Sequence, residues 1–292
     1  MPAWGLLNLH KPAGATSRDV VNMVQRLVRP AKAGHAGTLD PLATGVLVVG
    51  VGAATRLVEY VQRQPKTYTG TFLLGRQSPT EDIEGEVTEL PDVVVPTRDQ
   101  IAAAAERFVG RIQQRPPAYS AVKVGGRRAY KLARKGESVE LPPRPVTIHR
   151  LEVNSYAYPE LTLKIECGSG TYVRSLGRDL ALSLGTAAVM AALVRTAIGE
   201  FRLEDAVAPE VLTRENWTSH LLPAARAVAT LPRMTLSAEQ VGDVAQGLAV
   251  AVASPQADAP EIAGLDPTGR LVAILTPRGR GRVGPMRNFP VA

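Results

Sequence analysis

The chain has 292 residues, 45% of them hydrophobic and 21% charged, so it is long and apolar enough to fold around a sizeable core. Its single cysteine, Cys167, excludes a disulfide framework and a cysteine-based zinc site. The amino terminus lacks the pattern of a signal peptide, and no apolar run approaches the length of a membrane span. These features predict a cytoplasmic protein that has no membrane association.

The formal net charge is +7, and the charges are segregated along the chain. Residues 81–92 contain six acidic side chains and no basic one, whereas residues 123–135 contain six basic side chains and no acidic one. The segment after Asp266 carries arginines 270, 278, 280, 282 and 287 without an acidic neighbour. Segregated basic patches favour a polyanionic partner, most simply a nucleic acid, although a solvated surface is an equal alternative.

Hydrophobic periodicity and capping residues predict strands and helices in alternation. In chain order the predicted strands are 6–9, 46–49, 66–74, 146–153 and 161–167, and helices begin near 16–17, after 52, after 97 and after 170. Thr97 and Gln100 form the sequence pattern of a capping box. Residues 115–145 are rich in Arg, Lys, Gly and Pro, which predicts either a long functional insertion or a poorly ordered loop.

A change of composition near residues 225–232 predicts two domains, residues 1–228 and residues 229–292. The second should be small and β-rich, with a short helix between Ser237 and Gly247 and a flexible loop at 252–260. The predicted fold class is therefore α+β.

The glycine-rich run 34–45 contains one acidic residue, Asp40, and one histidine, His35, and an apolar strand follows it. A carboxylate held in such a loop beside a buried strand is fixed rigidly and leaves room for a substrate. This arrangement suits a reaction that uses one carboxylate better than a metal site or a serine triad. An isolated Asp-Pro pair, such as Asp40-Pro41, is nevertheless more often only a turn.

Other kinds of site are disfavoured by the motifs. Gly50-Val51-Gly52 lacks the third glycine and the downstream acidic residue of a dinucleotide-binding fingerprint. The chain contains no P-loop motif, and its four histidines have no spacing typical of a metal site. We therefore expect neither a cofactor nor a metal.

Several motifs together resemble one family. They are Leu9–Ser17, His35–Gly45, Lys66–Tyr68, Arg115–Lys123, Gly170–Ser175 and Leu193–Thr196. Their residues and their order across positions 5–200 resemble the TruB family, the bacterial tRNA pseudouridine-55 synthases. The resemblance implies the pseudouridine-synthase fold, which is a mixed, mostly antiparallel sheet with flanking helices and loops. It also implies a thumb insertion at about 115–145 and, more loosely, a carboxyl-terminal PUA-like RNA-binding domain.

The resemblance implies that a uridine of the tRNA T loop, position 55, is isomerised to pseudouridine after it is flipped out of the RNA, without a cofactor. A stand-alone monomer that needs no guide RNA or protein partner is expected, because guide-dependent relatives have a shorter insertion. The alternatives are an RNA-binding or RNA-chaperone protein without activity, and an enzyme of the same chemistry that acts on another RNA.

By motif position, Asp40 is the expected nucleophile, Arg174 its cationic partner and Tyr68 the aromatic residue that stacks on the base. Without the family motif, Arg174 reads as a surface arginine and Tyr68 as a core aromatic. Whether Asp40 attacks the base, attacks the sugar or assists formation of a glycal stays open. The remaining expected substrate-binding residues are His35, which would enter the vacated base stack, with Tyr172, Leu193, Lys11, Arg127, Arg128 and Lys131.

Overall fold

The computed structural model describes residues 3–120, 122–124, 126–129, 132, 141–251, 259–279 and 281–290. Lys131 and most of the predicted flexible loop, residues 252–258, lie outside this part of the chain. Within the described ranges, no helix is both long enough and apolar enough to cross a membrane.

The described residues form five α-helices and eighteen strands. The helices are α1 (Ser17–Val28), α2 (Val58–Arg63), α3 (Arg98–Glu106), α4 (Val173–Ser183) and α5 (Ala238–Ala245). The first nine strands are β1 (Gly5–Lys11), β2 (Ala33–His35), β3 (Thr44–Val51), β4 (Lys66–Leu74), β5 (Arg76–Gln77), β6 (Thr88–Glu89), β7 (Gly110–Gln114), β8 (Lys123–Val124) and β9 (Arg127–Arg128). The others are β10 (Arg144–Ala157), β11 (Glu160–Cys167), β12 (Ala188–Ile198), β13 (Phe201–Arg202), β14 (Arg233–Thr235), β15 (Val250–Ala251), β16 (Ile262–Leu265), β17 (Leu271–Gly279) and β18 (Arg282–Asn288).

One large sheet organises the first 200 residues, in the strand order β1-β3-β12-β4-β11-β10-β7, with β2 on β3 and β13 on β12. All its pairings are antiparallel except that of β3 with β12, which pairs Thr44 with Val194 and Gly45 with Arg195. The prediction of a mixed, mostly antiparallel sheet is confirmed. The parallel pairing has a functional consequence, since it brings the glycine-rich run that precedes β3 against β12.

Local signals explain where several elements begin. Thr16 caps α1 through a capping box with Asp19, and Thr97 caps α3 through the predicted box with Gln100. The predicted helix that ends near Val61 is divided into a 3-10 segment, Gly52–Leu57, and α2.

Helix α4 packs closely against β4 because it has a glycine at the contact. A Cβ atom on Gly177 would lie 2.0 Å from the ring of Phe72, so any larger residue would push the helix away from the sheet. Leu176 and Leu180 are buried in the same apolar cluster. This packing sets the height of Arg174 above the sheet.

The second sheet has the order β14-β16-β17-β18-β15 and carries α5. Its strands lie between residues 233 and 288, on the carboxyl-terminal side of the predicted boundary. Trp4 stacks on Phe289 with a centroid distance of 5.6 Å, and Arg287 forms an ion pair with Glu59. Arg287, one of the arginines that appear unopposed in the sequence, therefore joins the second sheet to helix α2.

Candidate active site

A cavity of about 980 Å³ is lined by residues from the Asp40 loop (residues 37–41), from β4, from β12 and from the start of α4. Its wall contains four of the predicted residues that surround Asp40, namely Tyr68, Tyr172, Arg174 and Leu193. It also contains Lys66, Asp82, Glu84 and Arg195, for which the sequence analysis proposed no role.

Arg174 holds the carboxylate of Asp40 in place. Its Nη2 lies 3.0 Å from Oδ2 of Asp40, and its Nη1 lies 3.1 Å from Oδ2 of Asp82. The side chains of Arg174 and Asp82 are only 7% and 3% exposed, whereas that of Asp40 is 41% exposed. The guanidinium is thus anchored by a buried carboxylate on one side, and it presents the accessible carboxylate to the cavity on the other.

Two residues near the amino terminus hold the backbone on either side of Asp40. The Ser17 hydroxyl accepts a hydrogen bond of 2.8 Å from the Leu39 amide, and it lies 3.1 Å from the Leu39 carbonyl oxygen. The ammonium group of Lys11 donates to the carbonyl oxygens of Ala15 at 2.5 Å and Pro41 at 3.3 Å. Burial lowers the pKa of Lys11.

Arg195, on β12, fixes the beginning of the Asp40 loop through hydrogen bonds to its backbone. It is fully buried, and its guanidinium donates to the carbonyl oxygens of Val46 at 2.7 Å, Gly37 at 3.1 Å and Thr38 at 3.4 Å. The parallel pairing that aligns these groups requires a glycine at position 45. There φ is +104°, and a Cβ would lie 2.2 Å from the backbone oxygen of Arg195.

Tyr68 and Lys66 point to the same face of β4, which alternates buried and half-buried positions. Burial raises the pKa of Tyr68, so its phenol is neutral near pH 7. Burial also lowers the pKa of Lys66 to about 8, and its ammonium donates to the Gln62 carbonyl oxygen. One face of β4 therefore presents to the cavity the aromatic ring of Tyr68 and the amine of Lys66, which releases its proton more readily than an ordinary lysine.

Tyr172 and Leu193 supply flat and apolar surface. Leu193 is 7% exposed, and Tyr172 is half-buried with the Arg144 guanidinium 4.7 Å from the centre of its ring. Both the amide and the carbonyl oxygen of Tyr172 bond to the Gln114 side chain, which fixes the backbone immediately before α4.

His35 lies outside the cavity wall, on β2, where it pairs with Val49. Its Nδ1 is buried and has no hydrogen-bond partner in the described part of the chain. Burial, with the nearby Arg18 and Arg195, lowers the pKa of His35, so the imidazole is neutral at pH 7.

Comparison with known proteins gives the chain its family. The family model for the TruB family pseudouridylate synthase (N terminal domain) matches residues 25–173. A tRNA pseudouridine synthase B from Arthrobacter sp. is 43% identical and covers 94% of this chain and 93% of its own length. Another from Rhodopirellula baltica is 37% identical and covers 98% and 94%. The chain belongs to the TruB family of pseudouridylate synthases.

Solved structures resemble this TruB-family enzyme in fold. A Cbf5-Nop10-Gar1 complex contains a chain that is 26% identical, with a TM-score of 0.70 over 93% of this chain and 78% of that one. The archaeal box H/ACA sRNP Nop10-Cbf5 complex gives 25% identity and a TM-score of 0.72, over 99% and 86%. The predicted pseudouridine-synthase fold is confirmed.

The TruB-family fold brings Asp40, Tyr68, Tyr172, Arg174 and Leu193 together around one cavity. Lys11 and His35 lie next to the loop but do not line the cavity, and their substrate-binding roles stay predictions. The described residues contain no cluster of His, Cys, Asp and Glu that could hold a metal ion.

Sequence reasoning missed Asp82 because it lies in the acidic run 81–92, which resembles a solvated surface. A usable signal was present nonetheless, since Thr80 and Glu84 flank Asp82 and their hydroxyl and amide donate to its Oδ1 at 2.6 and 3.1 Å. Such a turn fixes the orientation of a carboxylate through its immediate neighbours in the sequence.

The predicted thumb is described only in part. Strands β8 and β9 form a short hairpin in which Val124 pairs with Arg127, and the Arg127 side chain is exposed. Arg128 lies on the same strand, whereas Lys131 lies outside the described residues.

Proposed function

We propose that this enzyme converts uridine 55 in the T loop of tRNA to pseudouridine, with Asp40 as the nucleophile. The observation that carries the proposal is the pairing of a cavity-facing Asp40 carboxylate with the buried guanidinium of Arg174. The relatives named tRNA pseudouridine synthase B support tRNA as the substrate.

The reaction breaks the bond between N1 of uracil and C1′ of ribose, and forms a bond between C5 and C1′. The proton on C5 is released and N1 gains one, so no electrons are exchanged with a cofactor. A carboxylate nucleophile divides this exchange into two easier steps through a covalent intermediate. The Arg174 guanidinium, 3.0 Å from Asp40, would orient the carboxylate for attack on the base or on the sugar, and its charge would assist elimination to a glycal.

Tyr68 would stack on the extruded uracil while Leu193 and Tyr172 cover its edges. A flat base matches a cavity with these two rings and one apolar side chain. Because burial raises the pKa of Tyr68, its hydroxyl serves better as a hydrogen-bond donor than as the base that removes the C5 proton.

Uridine within a folded loop must leave its stack, which costs a few kcal/mol. We assign His35 to the vacated position, because it lies five residues before Asp40 and a neutral imidazole is flat enough to stack.

RNA affinity would come from two basic surfaces outside the cavity. One is the thumb with Arg127, Arg128 and Lys131, whose positive charges would contact T-arm phosphates without reading bases. The other is the second sheet, a PUA-like RNA-binding domain at residues 229–292 that follows the catalytic domain at residues 1–228. The Cbf5 relatives are named as complexes with Nop10; for this chain we propose a stand-alone cytoplasmic monomer.

The proposal is tested with tRNA transcripts that carry tritium at C5 of uridine. Purified enzyme should release tritium from the wild-type transcript and should release none from one in which only uridine 55 is replaced by cytidine. Equal release from both transcripts would refute the position, and release only from other RNAs would refute the substrate. No release from any RNA would favour an RNA-binding protein without activity.

A further inference from the structure

Helix α4 presents two arginines, Arg174 and Arg178, that are four residues apart and therefore lie on one face of the helix. The mechanism uses only Arg174. Arg178 and its carboxylate partner Glu81 do not line the cavity, although Glu81 is the immediate neighbour of Asp82. This second ion pair is half-buried and needs another explanation.

The two arginines make parallel sets of contacts. Arg174 binds Asp82 and donates to the carbonyl oxygen of Tyr119 at 3.2 Å. Arg178 binds Glu81 and donates to the carbonyl oxygen of Arg115 at 3.0 Å. Each arginine thus joins the acidic turn 80–82 to the segment 115–120, at the base of the thumb.

Glu81 is held in a conformation that an isolated chain disfavours. Its φ is +64°, in the left-handed region that glycine prefers and that strains the backbone of any other residue. The Ser175 hydroxyl donates to Oε2 of Glu81 at 2.6 Å, and the carboxylate is 12% exposed. Burial raises the pKa of Glu81, so its ionised form depends on Arg178 and Ser175. Strand β12 also holds the turn, since the Met190 amide donates to the Glu81 carbonyl oxygen at 3.0 Å and the Ile83 amide donates to the Met190 carbonyl oxygen at 3.1 Å. The side-chain contacts of Glu81 are therefore the ones that tie this strained turn to α4.

We propose that Glu81 and Arg178 are positioning residues that lock the acidic turn and the base of the thumb to α4, and thereby aim Arg174 at Asp40. The inference rests on the proposed role of Asp40. If segment 115–120 separates from the helix, both arginines lose a carbonyl partner, and Arg174 keeps only Thr80, Asp82 and Asp40 as partners among the described residues. Docking of the thumb base is in this way coupled to the position of the nucleophile.

The test uses Glu81→Gln, Arg178→Gln and the double variant in the full-length enzyme. The rate of tritium release is measured in a single turnover at saturating tRNA, and tRNA affinity and the melting temperature are measured beside it. Each single variant should lower the rate about tenfold while affinity changes less than about threefold. The double variant should lose no more than the worse single variant, because both remove the same contact.

Two further variants keep the result decisive. Arg178→Lys preserves the charge and should recover part of the rate, even where Arg178→Gln lowers the folded fraction. Glu200→Gln removes a partly exposed ion pair with Arg226 and should leave the rate unchanged. An unchanged rate in Glu81→Gln and Arg178→Gln, or a loss that only follows the melting temperature, would overturn the inference. Failure of the wild-type enzyme to release tritium would instead overturn the proposed function.

Discussion

Basic side chains occur both around the Asp40 loop and on the hairpin formed by β8 and β9, but they are buried in the first region, whereas Arg127 in the second is exposed. Around the loop, Lys11, Arg174 and Arg195 are buried, and their hydrogens are directed at carbonyl or carboxylate oxygens. On the hairpin, Arg127 is exposed. Positive charge therefore fixes geometry in one region and remains accessible to a partner in the other.

The difference follows from the cost of burying a charge. A buried cation is tolerated only where its partners replace the lost water, so it holds those partners in one arrangement. An exposed arginine keeps its water and its counterions, and it releases the counterions when it meets a phosphate. Substitutions near Asp40 should therefore change the rate at saturating RNA, and substitutions on the hairpin should change affinity.

Apart from substitution of Asp40 itself, the largest expected effect is that of Arg174→Gln. It removes the cation from Asp40 and leaves the buried carboxylate of Asp82 without its partner. We expect the single-turnover rate to fall by about 10²–10³-fold, with a loss of about 3–5 kcal/mol in the free energy of unfolding. Tritium release and chemical denaturation measure the two quantities, and a rate within threefold of wild type would contradict the role of Arg174.

Gly45→Ala should destabilise the enzyme through the contact between β3 and β12. Its control is Gly14→Ala, because Gly14 has a positive φ of +78° but no atom within 4 Å of an added Cβ. Both variants carry backbone strain, whereas only Gly45→Ala meets the Arg195 backbone, so it should lose about 1–3 kcal/mol more. Urea denaturation measures the free energy of unfolding of both variants. Equal losses would show that the close approach of the Arg195 backbone to Gly45 does not contribute to stability.

Lys66→Met should change stability in a way that depends on pH. The folded-state pKa of about 8 lies below the ordinary value of 10.5, so the folded enzyme binds fewer protons between these values and its stability rises with pH there. Removing the amine should relieve a penalty of about 3 kcal/mol at pH 7 that has largely vanished near pH 10.5. The loss of its hydrogen bond to Gln62 reduces the net gain.

Melting temperatures of the Lys66→Met variant and the wild type at pH 7 and pH 10 test this dependence. The difference between the two proteins should shift in favour of the variant at the lower pH. Lys32→Met, at an exposed position, is the matched control and should show the same difference at both pH values. A shift of equal size in the two variants would mean that Lys66 is not a buried cation.

The smallest effect is expected for Arg127→Gln combined with Arg128→Gln. Loss of two phosphate contacts should reduce the slope of log affinity against log salt by about 1–2 and weaken binding most at low salt. The rate at saturating tRNA should stay the same. Titrations at several salt concentrations measure the slope, and an unchanged slope would remove the hairpin from the RNA interface.

The sequence predicted those parts of the site that lie in one continuous motif. Asp40 stands out because glycines surround it and a buried strand follows, whereas periodicity alone makes Tyr68 a core aromatic and only the family resemblance gives it a role in the site. Arg174 emerged only through the family resemblance, since an arginine in the first turn of a helix usually faces solvent. The periodic strands and the capping box of Thr97 and Gln100 were also predicted from the sequence.

What escaped prediction depends on contacts between distant segments. Arg195 holds the Asp40 loop only because β3 and β12 run parallel, and no local pattern encodes that pairing. Asp82 and Glu81 lie in an acidic run, and their burial becomes visible only when α4 supplies two arginines. Periodicity records which face of an element is apolar, but not which charged residues meet across the fold.

The most direct test of the account is a single turnover by Asp40→Asn at saturating tRNA. The asparagine keeps the size of the side chain and can still accept a hydrogen bond from Arg174, so the cavity and the tRNA affinity should be preserved. The account predicts no tritium release above background with tRNA affinity within about threefold of wild type, because an amide cannot replace the carboxylate nucleophile. Release at the wild-type rate would contradict the assignment of Asp40.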